Sequence, residues 1–126
     1  MKYTITMAAL WLCMQQSVAQ PYKKRTPAEK ARFYTNEMVT ELKLDSLTAA
    51  KVYEVNLQVS QQFDSLYAGS PDAADARAGA IAIYKRRDAA LRTVLTTQQF
   101  LQFDDLQREK REKRRAEKEQ KEKAAD

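Results

Sequence analysis

The side chains that most often carry catalysis are scarce in this sequence. Histidine is absent, the single cysteine is Cys13, and there are only two glycines. Imidazole is therefore unavailable as a base or metal ligand, and a glycine-rich phosphate loop has no residues to build it. Asp104 and Asp105 are adjacent, but neighbouring side chains on a helix point about 100° apart, so they do not form an acid–base pair. Serines and lysines occur without a spacing that would join a nucleophile to its base. Met38 is the only methionine beyond the first 14 residues, which leaves soft metal ligation without ligands and only carboxylates as conceivable donors. The expectation is a protein that is not an enzyme and uses no cofactor or metal.

Binding chemistry is better represented. Lys85-Arg86-Arg87 interrupts an apolar helical stripe, so at least one of these cations must lie beside apolar neighbours. Aromatic residues, Phe100 and Phe103 among them, recur near cations along the chain. A surface mixing the two can hold varied partners weakly, and its candidate residues are Lys85, Arg86, Arg87, Phe100 and Phe103. Taken singly, each aromatic fits a core better, and the cations fit snorkelling stems with their heads in water. The net charge of +5 is mild. The tail from Gln107 interleaves both signs and has no aromatic platform for bases, so no nucleic-acid partner is expected.

These residues need elements to hold them. Met1-Lys2, the apolar run Ile5 to Met14 and the small-residue site ending at Ala19 have the layout of an export signal cleaved after Ala19. The run is too short to span a membrane. Leu12 before Cys13 does not suit a lipid anchor. Residues 20–106 then form one helical domain, opening on a basic arm through Arg25, and residues 107–126 form a charged extension. Helix one is predicted from Pro27 to about Lys43, capped by Thr26 and Glu29, with Ala31, Tyr34, Met38 and Leu42 inward. Helix two is predicted from Ala49 to about Ala68, with Val52, Val55, Val59, Phe63 and Leu66 at three- and four-residue steps. Gly69 is its natural stop before Pro71, and Ser70 is available to cap the next helix.

Helix three is predicted from about Asp72 to Val94. Its apolar face is Ala73, Ala76, Ala80, Ile83 or Tyr84, Leu91 and Val94, and Gly79 inside it implies close packing or a bend. Helix four starts at Thr97 with Phe100, Leu101, Phe103 and Leu106. Beyond Leu106 there is no large apolar side chain, so the extension is expected to leave the core as a charged helix that frays. Glu109–Lys113, Glu117–Lys121 and Glu119–Lys123 are spaced to support it.

Two stretches share one layout, Leu47-Thr48-Ala49-Ala50-Lys51 and Leu95-Thr96-Thr97-Gln98-Gln99. In the second, Thr96 and Gln99 can close a capping box, with Leu95 and Phe100 as its staple. In the first, Thr48 is the expected cap and Leu47–Val52 the staple, while Lys51 stands where the box needs Glu or Gln. The pattern Leu-Thr-x-x-Gln, repeated in a small helical chain behind an export signal, resembles the Spy/CpxP-type periplasmic family. The match is full at Leu95, Thr96 and Gln99 and partial at Leu47 and Thr48.

The resemblance implies an all-α, four-helix, hairpin-type fold forming a curved homodimer. It implies a periplasmic protein that holds unfolded or stressed envelope proteins without ATP. A regulatory partner of an envelope-stress sensor, or a structural envelope protein, is the alternative. Metal-binding relatives are rich in His and Met, and residues 20–126 contain no His and one Met.

Overall fold

The computed structural model describes residues 23–126. The expected export segment, residues 1–19 with its cleavage site, lies outside the described residues. Those described form four helices and no strands: α1 Pro27–Leu42, α2 Ser46–Ala68, α3 Ala73–Val94 and α4 Thr97–Ala125. None is long and apolar enough to cross a membrane.

Each helix starts at a side-chain cap, as the orphan N–H groups of a first turn require. Thr26 caps α1 and closes a full box with Glu29. Thr96 caps α4 in the same way: its Oγ1 accepts from Gln99 N at 3.1 Å, and Gln99 Oε1 accepts from Thr96 N at 3.0 Å. The start of α2 differs from the sequence expectation. Its cap is Asp45, whose carboxylate accepts from Thr48 N at 2.7 Å. Thr48 is therefore the third helical residue and not the cap, and Leu47, on the first turn, is 69% exposed and staples nothing. Asp is a stronger cap than Thr, and Lys51 cannot supply the return hydrogen bond of a box.

At the other end of α2, the left-handed residue is Ser70 (φ 46°), while Gly69 keeps a negative φ. Pro71 disfavours the right-handed helical region for the residue before it. Asp72, not Ser70, caps α3.

Successive helices run in opposite directions, as the paired residues show. Along α1 and α2, Lys30 meets Asp64 and Thr35 meets Asn56. Between α2 and α3, Leu66 faces Gly79 and Phe63 faces Tyr84. Between α3 and α4, Arg92 covers Phe100 and Arg87 covers Phe103. α4 returns along α1, with Gln102 and Lys110 both reaching Glu41. The backbones of α1 and α2, α2 and α3, and α4 with both α1 and α3 approach closely, and those across the diagonals do not.

The core gathers at the end where α1 turns into α2 and α3 into α4. Met38, Leu42, Leu44, Val52, Val55, Leu91, Leu95, Phe100 and Phe103 form one buried cluster. Val52 and Val55 occupy the same steps after the first motif as Phe100 and Phe103 do after the second, so the short internal similarity reflects shared burial. On α1 the inward residue is Thr35, whereas Tyr34 is 50% exposed. The buried Asn56 of α2 explains the exchange. Its Nδ2 donates to Thr35 Oγ1 at 3.0 Å and approaches Met38 Sδ at 3.8 Å, and a buried amide without such a partner is costly.

On α3, Ile83 and not Tyr84 is the buried member, and Ala73 is exposed. Gly79 marks the expected close approach: a Cβ there would lie 2.6 Å from Leu66 Cδ1.

α4 runs unbroken from Thr97 to Ala125, so the expected fraying is not observed. Leu101 on its first turn is exposed. The three ion pairs expected in the extension are not formed. Asp105–Arg108 and Lys118–Glu122 pair instead, in keeping with the small energy that separates exposed alternatives.

Candidate functional site

Away from the shared core, residues of all four helices line a groove of about 630 Å³. Helical periodicity puts aromatic residues along its walls: Tyr34 on α1, Phe63 and Tyr67 on α2, Tyr84 on α3 and Phe103 on α4. Tyr34, Tyr67 and Tyr84 are about half exposed. Phe63 stacks on Tyr67 with ring centroids 6.2 Å apart and tilts against Tyr84 at 5.2 Å. The floor is mixed, with Met38 and Val59 beside the buried Asn56 and Ser60.

Ion pairs tie the rim. Lys30 Nζ donates to Asp64 Oδ1 at 2.6 Å, which holds the Asp64 carboxyl below its ordinary range. Arg87 pairs with Asp88 at 2.8 Å and lies over the rings of Tyr84 and Phe103 at 4.8 and 5.0 Å. Its side chain is 14% exposed, so it is the member of the Lys85-Arg86-Arg87 run that packs beside apolar neighbours. Lys110 of α4 reaches both Glu37 and Glu41 of α1 at 3.0 Å. Partial burial opposes the Lys110 charge, but the hydrogen bonds to the two carboxylates outweigh it and raise its pKa above the ordinary value. Arg111, next in sequence, and Arg114, one turn beyond Lys110, complete the rim, and neither forms an ion pair among the described residues.

The sequence-predicted binding residues separate here. Arg87 is at the groove. Lys85 is exposed and does not line it, and Arg86 lines a second, shallower depression between α2 and α3 with Leu66, Gly79 and Ile83. Phe100 is in the core under Arg92. Phe103 is also core and shows the groove only an edge, because both phenylalanines fall on the face of α4 that closes the bundle. The exposed aromatics of the site are instead Tyr34, Tyr67 and Tyr84.

The groove residues that sequence reasoning passed over are Tyr34, assigned to the core, and Lys110, Arg111 and Arg114, assigned to a tail that meets nothing. The signal for the cations was periodicity: Gln107, Arg111 and Arg114 continue the stripe begun by Phe100 and Phe103, with long polar stems in place of rings. The motif residues Leu47, Thr48, Lys51, Leu95, Thr96 and Gln99 lie at the helix turns and do not line the groove. Among the described residues, no three Cys, Asp or Glu side chains converge as a metal site would need.

The arrangement can hold an elongated, partly apolar ligand against rings, with cations at one side. Comparison with family models, curated proteins and solved structures gives no match for this chain.

Proposed function

We propose that this protein is a binding protein without enzymatic activity, exported to the periplasm, that holds unfolded or stressed envelope proteins without ATP. The observation that carries this reading is the groove, which three half-exposed tyrosines line together with the unpaired cations Arg111 and Arg114. Aromatic faces adapt to many apolar side chains, and nearby cations add contacts that need no fixed geometry. The closed Thr96–Gln99 box at the Leu-Thr-x-x-Gln stretch supports the resemblance to the Spy/CpxP-type family. On that reading the helices act as two hairpins within a curved homodimer. A regulatory partner of an envelope-stress sensor draws its support from the exposed charged half of α4, which suits steering toward one acidic surface.

The test is an aggregation assay. The protein is added at equimolar ratio to two unrelated, chemically unfolded clients without ATP. Suppression with both is expected, and it should persist when the chain is cut after Arg114 but weaken when cut after Gln107. Suppression of neither client removes the holding reading, and crosslinking in cells to a single envelope partner would then favour the regulatory one.

A further inference from the structure

The ionic groups of the groove do not balance by chance contacts alone. Every carboxylate at its rim is already engaged: Glu37 and Glu41 by Lys110, Asp88 by Arg87, and Asp64 just outside by Lys30. Lys110 is shared by two carboxylates and leaves one negative charge there, while Arg111 and Arg114 form no ion pair among the described residues, lie three residues apart and so share one face of α4, which leaves the groove with a net positive charge. Across from them run Tyr34, Val59, Phe63 and Tyr84.

We propose that the groove is a binding site for a small single-chain amphipathic anion, whose apolar chain lies along the aromatic wall and whose carboxylate is held by Arg111 and Arg114. The volume of about 630 Å³ falls in the range of roughly 300–1,000 Å³ usual for small-ligand sites. From Met38 to Lys30, both lining residues, α1 advances about 12 Å at 1.5 Å per residue. An acyl chain of medium length matches that run.

The floor takes a buried acyl chain more readily than a buried peptide backbone, whereas an unfolded client can offer its side chains to the half-exposed tyrosines and keep its backbone in water. A peptide brings an N–H and a C=O at each residue, and each needs a partner once buried. The α2 side of the floor offers only Asn56 and Ser60, and the Asn56 amide already donates to Thr35 and Met38. A hydrocarbon chain brings no such groups. A cationic amphiphile would meet two unpaired guanidinium groups, and the carboxylates of the rim are already in contact with Lys110 and Arg87. This site stands whether or not the protein holds unfolded clients.

The probes are dodecanoate and dodecyltrimethylammonium, which share a chain and differ in charge, titrated calorimetrically below their micellar concentrations. One dodecanoate per chain is expected, with unchanged far-UV circular dichroism. The cationic analogue, and dodecanoate with the Arg111→Glu/Arg114→Glu variant, should each bind about tenfold or more weakly, the scale of losing charge-assisted contacts. A second variant, Val59→Trp, fills the groove without touching its charge and should abolish binding while the thermal melt confirms folding. Equal affinity for the two amphiphiles, an unchanged affinity in the charge-reversed variant, no binding, or many ligands per chain with loss of helicity would each overturn the proposal.

Discussion

At the scale of single residues, the fold is set by four caps, and they differ in chemistry. Thr96 is neutral, and Thr96→Ala should cost about 1 kcal/mol through the lost bond to Gln99 N, read as a lower thermal midpoint. Asp45 is charged, and the hydrogen bond from Thr48 N holds its carboxyl below the ordinary value of 3.8. Glu29 is lowered in the same way by Thr26 N. A carboxyl depressed in the folded state adds stability that is complete above its unfolded pKa and is lost as pH falls through the folded one. Melting temperature should therefore hold near neutral pH and drop as pH falls below about 4, the unfolded carboxylate range. Asn caps as well as Asp but does not titrate, so Asp45→Asn should match the parent at pH 7 and lose less stability in acid. An identical acid slope in both proteins would show that Asp45 is not the cap. Thr26, Glu29, Thr96 and Gln99 were legible in the sequence because the box is a local pattern. Asp45 was missed because the repeated Leu-Thr drew the start of α2 three residues too far along, past a stronger cap.

At the scale of the helices, apolar spacing identified all four, and their ends agree with expectation to within a few residues. What the spacing did not reveal is which polar residues go inside. Asn56 and Ser60 sit on the buried face of α2, and Thr35 displaces Tyr34 because Asn56 needs a partner across the interface. No single-helix pattern contains that information, since it depends on two helices meeting. Gly79 is the converse case, where a sequence oddity foretold a contact. Gly79→Ala should gain about 1 kcal/mol of helix propensity, but its Cβ displaces the Leu66 methyls, so the net change in the parent should be small or unfavourable. In a Leu66→Ala background the same substitution should stabilise. A double-mutant cycle of melting free energies measures this coupling, and additive effects would refute the close approach.

At the scale of the whole molecule, one end is a packed core and the other is a groove held together by ions. The candidate site was only partly legible for that reason. Aromatics and cations were visible in the sequence, but their sorting between core and groove depends on where α4 crosses α1 and α3. Cutting the chain after Arg114 removes only exposed residues and should leave stability within about 0.5 kcal/mol. Cutting after Leu106 also removes Lys110 and its pairs with Glu37 and Glu41. It should lower the melting temperature and make it less sensitive to added salt, since screening then has fewer partly exposed pairs to weaken. The length of α4 has a hydrodynamic consequence. It ends at Ala125, and the stretch beyond Arg114, about 16 Å at 1.5 Å per residue, packs against none of the described residues. A body carrying such a projection drags more solvent than a sphere of equal mass, so each species should elute earlier on gel filtration than its mass alone predicts. Sedimentation equilibrium, which weighs the particle and ignores its outline, is the measurement that counts its subunits.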